Sequence, residues 1–194
     1  MKEIHFITSN KGKLEEAEKK LSSLGVHVVG SDIYVPEIQA NSVREVIEYA
    51  LDYLENNADA KELGRVMLDD SGLFIDYLKG FPGVYSAYVL NTIGYKGILK
   101  LLEGVDEELR KARFIACIGY LDLETGKRDI FEGVSFGHIA YEPRGSGGFG
   151  YDPIFIPVEG NGRTFAEIPT EEKNIYSHRG RALDAMVSSL FLKK

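Results

Sequence analysis

The sequence is poor in the features that would place a protein outside the cell or in a bilayer. It has a single cysteine, Cys117, so it forms no internal disulfide and fits a reducing, cytoplasmic compartment. No apolar run approaches the roughly 20 residues needed to cross a membrane, and the N-terminus lacks a signal-peptide pattern. Basic charge is in deficit, with 23 Lys and Arg against 30 Asp and Glu and a net charge of −7. Nucleic-acid affinity rests largely on neutralising phosphates with Lys and Arg, so that class is disfavoured, whereas a small anion in one basic pocket is not. There is no Gly-x-x-x-x-Gly-Lys-Ser/Thr loop, no His-Arg-Asp loop of a protein kinase, and no internal repeat, low-complexity tract or linker.

What remains is a chain of 194 residues, 44% apolar and 27% charged. That is enough for one sizeable core and a single domain over residues 1–194. Residues 3–8 read as a short strand, followed by a helix with Leu14, Ala17, Leu21 and Leu24 on one face. A strand over residues 26–29 precedes a second helix bearing Val43, Val46, Ile47, Ala50, Leu51 and Leu54. A buried strand over residues 67–76, a turn over 80–83 and a third helix over 93–102 come next. Residues 111–123 and 128–141 form long strands joined by a hairpin. A short strand over 153–157, a loop over 160–162 and an amphipathic C-terminal helix close the chain. The pattern predicts an α/β fold with a mixed twisted sheet flanked by helices and a hairpin forming an extension or second lobe.

The anomaly lies in the buried strand, where Asp69, Asp70 and Ser71 interrupt an apolar run. A carboxylate removed from water costs several kcal/mol unless cations or donors compensate it. On an extended backbone successive side chains face opposite ways, so one acid faces a cleft and the other the scaffold. Hard oxygen ligands of this kind suit Mg²⁺ shared with phosphate. Three further stretches carry candidate chemistry. Thr8, Ser9, Asn10, Lys11, Gly12 and Lys13 gather hydroxyls, an amide and two lysines where a strand meets a helix N-terminus, an arrangement that favours anions. The glycine-rich residues 145–153 contain Gly-x-Gly-x-x-Gly, yet Pro153 and the β-rich residues after it give a strand where a dinucleotide fingerprint needs a helix. This loop can approach a ligand closely, and Phe149 or Tyr151 offers a face for a base. Lys173, His178, Arg179 and Arg181 cluster near the N-terminus of the last helix, where the dipole disfavours cations. A bound anion, a base carbonyl or ordinary salt bridges would relieve that. Cys117, inside a strand with no activating cation beside it in sequence, reads as an inert core thiol.

Taken in order, these pieces resemble the inosine triphosphate pyrophosphatase family, enzymes that hydrolyse non-standard purine nucleoside triphosphates. The resemblance is carried by Thr8-Ser9-Asn10 through Lys13 with Glu16, by Pro36-Glu37, by Asp69-Asp70-Ser71-Gly72, and by Gly80-Phe81-Pro82-Gly83 with the four residues after it. It continues in Gly148-Phe149-Gly150-Tyr151-Asp152-Pro153, Lys173-Asn174 and Ser177-His178-Arg179-Gly180-Arg181. Ser9 stands where many members carry Gly, a small-for-small change. The resemblance implies an elongated two-lobed fold with a central cleft, a homodimer, and Mg²⁺-dependent cleavage of ITP, dITP or XTP to the monophosphate and pyrophosphate. It assigns the triphosphate to Thr8, Ser9, Asn10, Lys11, Gly12 and Lys13, metal binding to Glu37 and Asp70 rather than Asp69, and proton acceptance to Asp70. It likewise implies that Ser71 touches substrate and that Phe149, Gly150, Tyr151, Asp152, Lys173, His178 and Arg179 form the base pocket. A pyrophosphatase for modified pyrimidine triphosphates and a non-catalytic nucleotide sensor are the competing readings.

Overall fold

The computed structural model describes residues 2–192. Strand β1 (Lys2–Ile7) leads into helix α1 (Lys11–Ser22), whose first turn is closed by Asn10, the side chain of which accepts the Lys13 N–H at 3.1 Å. Strand β2 (Val26–Ser31) follows, then helix α2 (Val43–Glu55), where Ser42 accepts the Glu45 N–H and Glu45 accepts the Asn41 N–H. These two bonds, to and from Glu45, fix the start of α2. After a short α3 (Ala58–Lys61) comes the long strand β3 (Arg65–Ile75), then the two-residue β4 (Pro82–Gly83) and helices α4 (Ser86–Thr92) and α5 (Gly94–Leu101). Strands β5 (Lys111–Asp122) and β6 (Lys127–Ile139) form the hairpin, followed by β7 (Phe155–Pro157), α6 (Thr170–Tyr176) and α7 (His178–Leu190).

The seven strands form one mixed sheet in the order β2-β1-β3-β5-β6-β7, with β4 attached to β3. Parallel pairing of β1 with β2 and β3 gives way to antiparallel pairing of β3, β5 and β6. Alternation along the strands separates two cores. Ile4, Phe6, Met67 and Ile118 bury against α1 and α7, whereas Ile7, Val66, Leu68 and Leu121 bury against α2. A third core, with Leu73, Ile75, Phe114, Tyr151, Phe155 and Phe165, fills the far end beneath α4 and α5. Each core removes apolar surface from water on one side of the same three long strands.

Several expectations shift by a few residues for identifiable reasons. Leu24 lies beyond α1 and is 44% exposed, because the helix ends at Ser22 and Gly25 turns the chain at φ +70. The helix expected over 93–102 is preceded by α4, and Gly94 at φ +65 separates the two. The start of the strand expected at Pro153 is instead a 3₁₀ turn.

One feature of β3 positions everything that follows. Its outer edge pairs with β1 only as far as Met67 and with β4 only from Leu73. The acidic segment between them lies in a gap in the sheet. Close approach is built in at Gly72, where a Cβ would sit 2.3 Å from the Gly83 carbonyl. The first turn of α7 sits on Gly133 of β6, where a Cβ would lie 2.1 Å from the His178 carbonyl and 2.5 Å from the Ala182 nitrogen. Overpacking of this kind costs about 1–3 kcal/mol. Gly133→Ala is therefore expected to lower the free energy of unfolding by that amount in urea titration, and an unchanged midpoint would contradict the seating of α7.

Candidate active site

The acids of β3 part company at the gap. Asp69 points to the α1/α7 face with its side chain fully buried: Oδ2 accepts from Arg179 Nε at 2.6 Å, and Oδ1 lies 2.7 Å from Lys13 Nζ. The Lys13 contact has poor hydrogen-bond geometry at Oδ1, but at that separation the charges attract strongly in a buried setting. Lys13 Nζ also donates to the Asp69 carbonyl at 3.2 Å, satisfying a backbone acceptor.

From Arg179 the charges continue in a chain. Its Nη1 donates to Glu16 Oε2 at 2.5 Å and its Nη2 to Ser71 Oγ at 3.2 Å. Lys173 Nζ donates to Glu16 Oε1 and Asp152 Oδ2, each at 2.7 Å, and Asp152 also accepts the Phe149 N–H at 2.9 Å. Burial pushes the Glu16 and Asp69 carboxyls up, but the neighbouring cations outweigh it and hold both below the ordinary carboxylate range. Burial opposes charge on Arg179 too, yet Asp69 and Glu16 raise its pKa above the usual guanidinium value. At Lys173, the influence of Asp152 and Glu16 likewise exceeds that of burial, so the ammonium persists. Asp152 is the strained member: burial dominates and its carboxyl is raised despite Lys173 and the Phe149 amide. Lys13, Lys173 and Arg179 thus face Asp69, Glu16 and Asp152, and the cluster is electroneutral. Of the ways to relieve cations at the last helix, salt bridges are the one built here. Arg181 is also engaged, by Glu159 and the Val134 carbonyl.

Asp70 is different. Among the described residues it has no ion pair, and burial pushes its carboxyl up to about 6, with Lys13 and the Ser71 backbone N–H pulling against Asp69 and Glu37. It lies on the α2 face, in register with Cys117. The Cys117 thiol is buried and pushed up to about 12, first by burial and then by Glu132, so it stays protonated and inert.

A cavity of about 120 Å³ opens beside the gap. Of the residues expected in the site, Asn10, Lys13, Asp70, Ser71, Phe149 and Gly150 line it, as do Tyr151, Asp152, Lys173, His178 and Arg179. Thr8, Ser9, Lys11, Gly12 and Glu37 do not. Thr8 Oγ1 instead accepts the Asn10 N–H, Gly12 packs under the Phe149 ring, and Ser9, Lys11 and Glu37 are exposed. Tyr151, read as a possible stacking face, is a buried anchor whose hydroxyl donates to the Ser86 carbonyl at 2.9 Å. Phe149 is the ring left available, 5.1 Å from Lys173 Nζ and 5.6 Å from Arg179 Cζ. His178 stacks on Phe114 at 4.5 Å, and burial followed by the charges of Arg179, Lys173 and Lys13 keeps it neutral.

Sequence reasoning did not assign roles to Glu16, Ser86, Ala87, Leu90 or Phe114. Glu16 left a trace, because Lys13, Glu16 and Lys20 recur at helical spacing beside the apolar face. As a cation site, Asp70 and Glu37 offer hard oxygen donors, and the raised Asp70 carboxyl is what a divalent ion would relieve. Among the described residues no three His, Cys, Asp or Glu side chains form a complete metal cage, so the remaining ligands would come from substrate and water.

The Asp70 carboxyl binds its proton more tightly in the folded chain, near 6, than in the unfolded one, near 3.8. Its favourable contribution to stability is therefore full below 3.8 and lost as pH rises through about 6. Asp70→Asn should be more stable than the parent by about 3 kcal/mol at pH 8, with the advantage vanishing by about pH 3. Urea midpoints across that range check this, and an Asn variant no more stable at pH 8 would contradict it.

Comparisons with known proteins agree with this architecture. A Ham1 family model matches residues 4–189. A dITP/XTP pyrophosphatase of Thermococcus kodakarensis is 59% identical over 92% of this chain and 91% of its own length, and one of Pyrococcus horikoshii is 50% identical over 94% and 93%. The solved structure of a HAM1 protein from Coxiella burnetii superposes with a TM-score of 0.78 at 32% identity, covering 100% of both chains. With the acids at the sheet gap and the paired cations of α6 and α7 in place, the chain belongs to the Ham1 family.

Proposed function

We propose that the protein, acting as one domain, hydrolyses non-standard purine nucleoside triphosphates, dITP, XTP and ITP, to the monophosphate and pyrophosphate. The observation that carries this reading is the buried Asp70 carboxyl, raised to about 6 and without an ion pair among the described residues, lining a cleft whose other buried charges are matched. The naming of the Thermococcus and Pyrococcus relatives as dITP/XTP pyrophosphatases supports the same substrates.

The residues divide the work between the faces of the sheet. On the α1/α7 face, the base stacks on Phe149 and meets Lys173 and neutral His178 at its edge. Lys173 has spent two of its three N–H donors on Glu16 and Asp152; the third is directed to a base carbonyl. Adenine offers an amino group where hypoxanthine and xanthine offer oxygen. Setting donor against donor in a buried site can discriminate by about 10⁴. The triphosphate crosses the gap along the N-terminus of α1, which has no acid in its first turn. Its unpaired N–H groups, Asn10, Lys11 and Lys13 receive phosphate oxygens there. Asp70 and Glu37 would hold Mg²⁺, which when bound neutralises phosphate charge. Asp70, ionised at neutral pH, accepts the proton of the water that attacks the α-phosphorus, and pyrophosphate leaves. A homodimer and a cytoplasmic setting belong to the same proposal. In keeping with the latter, no described helix is long and apolar enough to cross a membrane.

Assayed with Mg²⁺ on dITP, XTP, ITP, ATP and dTTP, the protein should release pyrophosphate from the first three and spare ATP and dTTP. Equal turnover of ATP, orthophosphate as product, or nucleotide binding without turnover would defeat the reading. Asp70→Asn should lower kcat by at least about 10²-fold, and chelation of divalent ions by EDTA should abolish turnover until Mg²⁺ is restored. An active Asn variant would remove Asp70 from its role.

A further inference from the structure

The gap in the sheet leaves backbone groups of β3 without strand partners, and such groups must be satisfied elsewhere when buried. On one side of the acids Lys13 takes the Asp69 carbonyl. On the other, the Leu73 N–H donates to the Ser86 hydroxyl at 2.8 Å, and the hydroxyl passes its own proton to the Gly83 carbonyl at 2.7 Å. A serine at a helix start commonly caps its own helix, but α4 has no side-chain cap bond. The Ser86 hydroxyl serves β3 and β4 instead. Its carbonyl meanwhile accepts the Tyr151 hydroxyl at 2.9 Å. Ser86 is 6% exposed, so water does not compete for these bonds, and it lines the same cavity as Asp70. A single residue is thus bonded through its side chain to the strand three positions from Asp70, and through its main chain to the loop two positions from Phe149.

We propose that Ser86 is a positioning residue that couples the loop receiving the base to the strand carrying Asp70. The proposal rests on the functional reading above. A base seated on Phe149 steadies residues 148–152, the Tyr151 hydroxyl steadies the Ser86 carbonyl, and the Ser86 hydroxyl holds the Leu73 amide and with it the placement of Asp70. Substrate recognition and catalytic geometry then share one buried hydrogen-bond path, strengthened by its low-dielectric surroundings.

Amide hydrogen exchange at Leu73 tests the path without reference to turnover. Ser86→Ala removes the acceptor, and Tyr151→Phe removes only a remote hydroxyl while keeping Ser86 and the ring. Both are expected to speed Leu73 exchange by about 10-fold, the scale of one buried hydrogen bond, with the double variant no faster than Ser86→Ala alone. With dITP, each single variant should lose about 10-fold in kcat with KM little changed, again without further loss in the double variant. If Tyr151→Phe leaves Leu73 exchange unaltered, or if the two kcat losses multiply, the coupling is overturned. Failure of the parent protein to cleave dITP would instead overturn the functional reading and leave the exchange result to stand by itself.

Discussion

The buried guanidinium of Arg179, clamped between Asp69 and Glu16, is the constraint on which the rest depends. Through Glu16 it reaches Lys173, and through Lys173 it reaches Asp152, so one chain of charges joins α1, β3, the glycine-rich loop, α6 and α7. A buried ion pair gains little over a well-packed apolar pair, but losing one partner strands a charge at a cost of roughly 3–5 kcal/mol. The cluster therefore acts less as a source of stability than as a lock on geometry. It fixes the relative positions of residues separated in sequence by as many as 163 positions.

That lock defines what is left over. The three cations are matched by three carboxylates, whereas Asp70 forms no ion pair among the described residues and relies on the Ser71 N–H and the nearby Lys13 charge. The discontinuity in the sheet explains how Asp70 can work beside the cluster. Where β1 departs and β4 has not yet arrived, the edge of β3 is open, and a ligand can pass from the α1/α7 face to the α2 face. Clefts at such breaks in strand order are recurrent ligand sites in α/β proteins. Here Gly72 and Gly83 bring β3 and β4 together just beyond the acids and close the far end of the opening.

Much of this was legible in the sequence, and the exceptions have physical causes. The apolar periodicity of α2, with Val43, Ile47, Ala50, Leu51 and Leu54 all buried, announces a helix on a sheet. The two acids in the middle of an apolar strand announce a place where burial is tolerated for a reason. Strand register is not local information, so the pattern alone left open which acid faces the helical cluster and which stays uncompensated. The network was hidden for the same reason: Glu16 and Lys173 meet only after the chain has folded. Tyr151 illustrates a subtler limit. An aromatic in a glycine-rich loop reads equally as a stacking face or an anchor, and the Ser86 carbonyl, 65 positions away, decides for the anchor. The short helices α4 and α6, at 7 residues each, are too brief to establish a period.

The central proposal is that Asp70, raised by burial and without an ion pair among the described residues, binds a divalent cation beside a cluster whose charges are matched. Carbon-13 NMR titration of the Asp70 carboxyl, without and with Mg²⁺, tests it most directly. The account predicts a midpoint near 6 in the absence of divalent ions and a clear fall when Mg²⁺ is added. A midpoint near 3.8, the ordinary value for Asp, unmoved by Mg²⁺, would contradict it.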